Sequence, residues 1–351
     1  MNKLFTGVFF LFMLAVAVGC KKSDDDDDLD GDWIRVADFV GVARNGAVSF
    51  TINDTAYVGS GVTNTGSSTQ SKRVGDFMKY DAGADDWYSM ASLPEGAERA
   101  YAVAFSANGK GYVGLGTNDG YTGLKDFWEY NPKTNTWRKV ADFPGIARYG
   151  AIAFSINGKG YVGCGYDGSN ELNDFYEYTP GTGDGAGSWK AIASIKSKRK
   201  WPFAFVMNNK GYVGGGYNNS AADPSFYVYS PEDNTWSRLH SLYPDGDNEE
   251  SDDIKNNDDY NYNLNRQTGI AFVIGNYAYL TTGSNGSPLN TTWRYDAGRD
   301  LWEQVDTFEG TSREQAVGFA IGNYGYVTTG NSGSNRLYDT WKFDPSASDD
   351  D

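Results

Sequence analysis

The stretch RAYAVAFSANGKGYVGLGTNDGYTGLKDFWEYNPKTNTWRKVADF, Arg99 to Phe143, decides how this chain folds. It holds four short apolar or aromatic runs divided by turns. Tyr101 to Phe105 reads as a first strand, followed by Asn108-Gly109, a pair that tolerates positive φ and makes a tight hairpin. Gly111 to Gly116 reads as a second strand, whose glycines admit close approach of neighbouring structure. Asp126 to Tyr130 alternates aromatic and polar residues as a third strand. After the turn NPKTNT, Trp137 opens a fourth. The 25 Tyr, 19 Phe and 10 Trp of the 351-residue chain suit strands far better than helices.

Copies of this unit begin at Arg44, Arg99, Arg148, Arg199, Arg266 and Arg313, and the second-strand tyrosine recurs at Tyr57, Tyr112, Tyr161, Tyr212, Tyr279 and Tyr326. Four strands repeating about every 50 residues is the signature of a β-propeller blade. The expected fold class is all-β, one six-bladed propeller over residues 32–345. Fourth strands open at Trp87, Trp137, Trp189, Trp236 and Trp302, but the sixth repeat ends at Pro345 without one. The missing copy stands at the front, Trp33 to Phe39. An N-terminal strand over 33–39 is therefore expected to complete the last blade and remove the open edge of the ring.

The ends carry different information. Lys3, the apolar run Leu4 to Val18 and the small residues before Cys20 are too short for a permanent membrane helix. The segment 1–19 resembles a bacterial lipoprotein signal peptide with its lipobox, which implies lipidation of Cys20. Residues 20–31, with five aspartates from Asp24 to Asp28, read as an acidic flexible tether, and 346–351 as a disordered acidic tail. A cysteine followed by an acidic run resembles the surface-export signal of Bacteroidota lipoproteins. That implies a lipid anchor in the outer membrane facing the cell surface, with a periplasm-facing anchor as the alternative. With Cys20 lipidated, Cys164 is left alone and no internal disulfide is expected. A formal charge of −16, from 30 basic and 46 acidic residues, disfavours nucleic acid as a partner.

The repeats resemble the Kelch family in the glycine-rich end of the second strand, the aromatic third strand and the tryptophan of the fourth. The resemblance covers roughly Asp32 to Pro345. Its paired glycine is intact at Gly214-Gly215-Gly216, whereas the other copies read GSG, GLG, GCG, TTG and TTG. It implies a Kelch-type propeller and leaves function open, because such propellers serve unrelated roles. The galactose oxidase group of the family needs copper held by histidines and a tyrosine crosslinked to cysteine. A single histidine, His240, excludes that activity, and no metal or cofactor is expected. Six-bladed N-acetylneuraminate mutarotases are similar in size and blade number. That resemblance implies a sugar-acid mutarotase or epimerase as the alternative function. It would need acid–base groups, and no acidic residue here matches a motif specific to that group, so catalytic residues stay unassigned.

Connectivity puts the variable chemistry on one face. Each repeat-opening arginine lies six residues before a phenylalanine, so Arg44, Arg99, Arg148, Arg199, Arg266 and Arg313 are expected to ring one mouth of the central channel. Either each bonds to carbonyls or an acid of its own blade, or two or three stay free to grip anions. In some Kelch propellers arginines at comparable positions receive acidic peptide side chains, so the resemblance supports an anion-accepting mouth. The loops between second and third strands share this face, and their Tyr121, Tyr166 and Tyr217 are candidates because a turn does not need an aromatic. So does the long acidic crossing 243–265. The expected function is a membrane-tethered, non-catalytic recognition or scaffold propeller binding a protein partner or a glycan, including as a subunit of an outer-membrane complex. Substrate processing instead predicts a buried acid with a raised pKa near the arginines.

Overall fold

The computed structural model describes residues 29–65, 67–243 and 262–347, with backbone alone at 67–69. Cys20, the 1–19 segment, most of 20–31 and 346–351, and the greater part of the long crossing lie outside the described residues. The chain forms six four-stranded antiparallel sheets whose innermost strands neighbour one another around a closed ring. Blade one comprises Val48–Ile52, Thr55–Gly59, Phe77–Asp81 and Asp86–Met90. Blade two comprises Val103–Ala107, Lys110–Gly114, Phe127–Asn131 and Thr136–Lys139. Blades three, four and five start with Ile152–Ile156, Phe203–Met207 and Ile270–Ile274. Blade six takes Val317–Ile321, Tyr324–Thr328 and Thr340–Asp344 from the C-terminal end and Asp32–Val36 from the N-terminal end.

That closure follows the sequence expectation, with the strand at 32–36 rather than 33–39. Trp33 pairs with Phe343 in register and meets Phe308 edge-on at 4.9 Å. Phe39 lies beyond the strand but is buried, and its N–H donates to the Tyr338 carbonyl at 2.8 Å. Inner strands alternate buried and half-buried residues, and they begin later than expected: Tyr101 has φ 56 and stands outside its ladder.

Blades interlock through close backbone approach and polar clamps. A Cβ on Gly111 would sit 2.2 Å from the Phe50 ring of the preceding blade, and one on Gly160 2.3 Å from Phe105. Only glycine fits there. The Trp137 indole N–H donates to the Ala91 carbonyl of blade one at 2.8 Å. Asn135, in the turn before that tryptophan, accepts from the Tyr130 hydroxyl of its own blade and from the Ala91 N–H of the previous one, both at 2.8 Å. Asp85, Asn234 and Asp300 repeat this bridge between Tyr80, Tyr229 or Tyr295 and the neighbouring backbone. Four of the six blade junctions are thereby tied at the outer edge, which helps keep the inner strands, and the mouth they carry, in fixed relation.

Candidate functional site

At the arginine end of the channel, six residues two positions after the arginines form a hydrogen-bonded circle. Gly46, Tyr101, Gly150, Trp201, Thr268 and Gln315 all have φ between 53 and 60. Tyr101, Gly150, Trp201 and Thr268 each donate their N–H to the carbonyl of the residue before them in the circle, at 2.7–3.1 Å. Gly46 donates to the Gln315 carbonyl at 2.9 Å, and Gln315 closes the circle onto the Thr268 hydroxyl at 3.3 Å. Positive φ is strained for tyrosine and tryptophan, and here the repeated geometry of six blades imposes it. Both rings lie over glycine: a Cβ on Gly46 would stand 2.6 Å from Tyr101, and one on Gly150 2.5 Å from the Trp201 indole nitrogen.

The six expected arginines sit one layer behind this circle, and the anion-gripping expectation for them is corrected. Arg44, Arg99, Arg148, Arg199, Arg266 and Arg313 are all buried, none more than 1% exposed. Each donates to the carbonyl sixteen residues on: Ser60, Leu115, Cys164, Gly215, Thr282 and Thr329 respectively, at 2.9–3.2 Å. Most also hold an acid at the entrance to the third strand of their own blade. Arg44 forks onto Asp76 at 2.8 and 2.7 Å, and Arg99 onto Asp126 at 3.1 and 2.8 Å. Arg148 holds Asp174, Arg313 holds Asp339 at 2.6 Å, and Arg199 reaches Asp223 at 3.2 Å. Arg266 has only Thr291 there, at 2.9 Å, and burial pushes its pKa down to about 9. These guanidinium groups brace strand entrances and are sealed from any ligand. Asp-Phe at 76–77, 126–127 and 174–175 was the sequence signal for their partners.

The three expected tyrosines come from the second-to-third-strand loops of blades two, three and four and differ in their surroundings. Tyr166 is half-buried, edge-on to Tyr149 at 5.6 Å, with the Lys200 ammonium 4.3 Å over its ring. Tyr217 pairs through its backbone with Lys200, and Lys200 meets Glu171 at 3.0 Å. Tyr121 is 68% exposed, over the guanidinium of Arg73 at 4.1 Å. Hydrogen bonds from Arg73 and Ser71 hold its phenol below the ordinary pKa.

Sequence reasoning missed Arg73 and Arg336, which come from the hairpins between second and third strands of blades one and six, Val62–Thr65 with Ser67–Arg73 and Asn331–Ser332 with Asn335–Arg336. Arg336 donates through Nε to Asn45 Oδ1 at 2.7 Å, and the Asn45 amide donates to Gln315 Oε1. Arg336, Asn45 and Gln315, with Tyr101 and Asn331, line a cavity of about 390 Å³ beside the hydrogen-bonded circle. A cation in such a hairpin with no acid beside it in sequence was the available signal.

The carboxyls with displaced pKa values, Asp126, Glu129, Asp167, Glu171 and Asp339, are all held low. For Asp126 and Asp339 burial works the other way, but hydrogen bonds and charge from Arg99 and Arg313 outweigh it. Cys164 is fully buried, and desolvation raises its thiol to about 12, so it is no nucleophile. One acidic trio, Asp32, Asp306 and Glu309, brings ligand oxygens within 4.8 Å of one another. It lies beside the closing strand, remote in kind from a mouth lined by amides, hydroxyls and aromatic rings.

This architecture defines a six-bladed Kelch-type β-propeller with a structured, polar and aromatic mouth. Residues 116–144 and 204–242 match the Kelch motif. The chain is 26% identical over 219 residues to Kelch-like protein 25 of Xenopus tropicalis, covering 62% of this chain and 36% of that protein. It thus spans about a third of the length of the curated relative it matches. Among solved structures it is similar to that of YjhT, with a TM-score of 0.66, 18% identity, and coverage of 86% of this chain and 95% of the other. At that identity the likeness speaks for the fold alone.

Proposed function

We propose that this chain is a membrane-tethered, non-catalytic recognition propeller that binds a partner protein or a glycan through its loop-bearing mouth. The observation that carries this reading is the state of its acids. Turnover of a sugar acid needs a proton donor near neutral pH, whereas the displaced carboxyls described here are all held ionised by basic or backbone donors. The mouth instead offers Tyr121, Tyr166 and Trp201 on a rigid frame, rings that bury much area with little loss of side-chain freedom. Kelch propellers generally mediate protein interactions, and that supports the partner reading. The lipid anchor at Cys20 and display from the outer membrane belong to the same proposal, supported by the lipobox and the acidic run behind it.

The test is crosslinking in intact membranes, followed by mild solubilisation, purification of the chain and mass spectrometry. A stoichiometric partner or glycan is expected, retained by the wild type and reduced roughly tenfold or more by Tyr121→Ala with Tyr166→Ala. Accelerated anomer exchange of N-acetylneuraminate by the purified chain, followed by NMR, would overturn the non-catalytic reading.

A further inference from the structure

The hairpins between first and second strands, and the turns between third and fourth, lie at the end of the ring away from the circle at Gly46 and Tyr101. There the blades repeat a charge pattern, and blade six inverts it. In blades two and three a lysine opens the second strand and a glutamate of the third strand faces its tyrosine: Lys110 with Glu129, and Lys159 with Glu177. The Tyr112 and Tyr161 hydroxyls donate to these glutamates at 2.9 and 3.0 Å. In blade six Tyr324 opens the second strand and Lys342 faces Tyr326. The Lys342 ammonium stands 4.8 Å over the Tyr324 ring and meets no carboxylate among the described residues, and the Tyr326 hydroxyl bonds to none of them.

Space is left beside this pair. At the junction of blades two and three, Arg138 reaches the Asp184 and Gly185 carbonyls in the turn 180–187 of blade three, at 2.9 and 3.1 Å, and the Glu129 side chain is sealed at 1% exposure. At the junction of blades six and one the corresponding turn, 82–85, is shorter, and a cavity of about 390 Å³ remains. Tyr80, Tyr324 and Tyr326 wall it with Val36 and Ile321, and Lys342 and Asp85 are the charged groups of its lining. Asp85 uses Oδ1 for the Tyr80 hydroxyl and the Ala37 N–H, at 2.7 and 2.9 Å, while its Oδ2 bonds to none of the described residues.

We propose that this cleft binds a free amino acid with an aromatic side chain, its carboxylate on Lys342 and its ammonium on Asp85. The site lies on the face opposite the mouth and stands independently of the recognition reading above. One cation and one anion in an otherwise uncharged lining match a zwitterion, whereas a simple acid or a simple amine leaves one of the two without a partner. The Tyr326 hydroxyl donates to the same carboxylate, which takes the place of the glutamate that Tyr112 and Tyr161 hold. Three tyrosine rings offer an aromatic side chain stacked and edge-on contacts. The volume falls at the lower end of small-molecule pockets and so suits a single residue rather than a longer peptide.

Isothermal titration of the full purified chain with L-phenylalanine tests this, against phenylacetate, which lacks the amine, phenethylamine, which lacks the carboxylate, and glycine, which lacks the ring. Phenylalanine is expected to saturate and to bind at least about tenfold more tightly than each of the other three. Lys342→Met is expected to lower its affinity about tenfold or more without moving the melting temperature, because Val228 stands at the same position opposite Tyr212 in blade four. Gly83→Leu lies in an exposed turn where a Cβ meets only Asp81 at 3.4 Å, so it is expected to fill the cleft and abolish binding in a folded chain. No saturation by phenylalanine, equal binding of any of the three truncated probes, or wild-type affinity in either variant would each overturn the proposal.

Discussion

Asp126 shows how one residue position sets the energetics of a whole blade. Its carboxylate neutralises a guanidinium that has no access to water, so removing it leaves a buried charge uncompensated. Asp126→Ala is expected to cost about 2–3 kcal/mol in denaturant unfolding, with an unchanged m-value. Blade five supplies the converse experiment. Thr291 occupies the place that aspartate holds in blades one, two, three and six, and burial depresses Arg266 above it. Thr291→Asp is expected to raise stability by about 1 kcal/mol, and a loss instead would show that this blade cannot admit the fork. The same pairs govern acid sensitivity. Asp126, Asp339 and Glu129 have folded pKa values below their ordinary ones, so the stability they contribute is full above the ordinary range and is lost as pH falls through the depressed values. Unfolding followed by tryptophan fluorescence should therefore set in below about pH 4 and shift upward in an Asp339→Asn variant.

Among elements, the closing strand carries the most consequence for its length. Asp32–Val36 covers the edge of Thr340–Asp344 and seats Trp33, 2% exposed, between Phe308 and Phe343. Trp33→Ala removes that wedge, and a loss of about 3–5 kcal/mol is expected from thermal or chemical melting. Were the ring held shut by the other five blades alone, the variant would melt with the wild type. The hairpins between second and third strands are the other decisive elements. They differ in length and composition from blade to blade, and those of blades one and six bring Arg73 and Arg336 close enough to repel one another from positions far apart in the chain.

On the scale of the molecule, the division of labour is between a repeated frame and an unrepeated mouth. The frame fixes six αL residues in a circle, and the blades then differ in which side chain each places there: two glycines, Tyr101, Trp201, Thr268 and Gln315. Large rings lie over the glycines, so the mouth is asymmetric although its backbone is nearly sixfold. An asymmetric mouth can distinguish partners in a way that a symmetric one cannot. Arg336 lies by Tyr101 and Tyr121, whereas Lys200 lies over Tyr166 and Trp201, so the surroundings change from one part of the rim to the next.

The strand count, the blade number and the ring closure at Trp33 were all legible in the sequence, because a repeat of local patterns states its architecture six times over. The positions of the repeat arginines were legible too, but not their burial. Periodicity says which residues are equivalent, not which side of the circle at Gly46 and Tyr101 faces water. Their acidic partners stood in plain view before the third-strand aromatics, at Asp76, Asp126 and Asp174, yet spacing alone does not tell a neighbour from a contact. The cavity at Asn45 and Arg336 lay furthest from reach, because its members come from the least repetitive loops and meet only when the last blade returns to the first. Local pattern and turn chemistry determine the blade; the closing of the ring decides which unpaired groups share a pocket, and long-range proximity of that kind exists only in the tertiary structure.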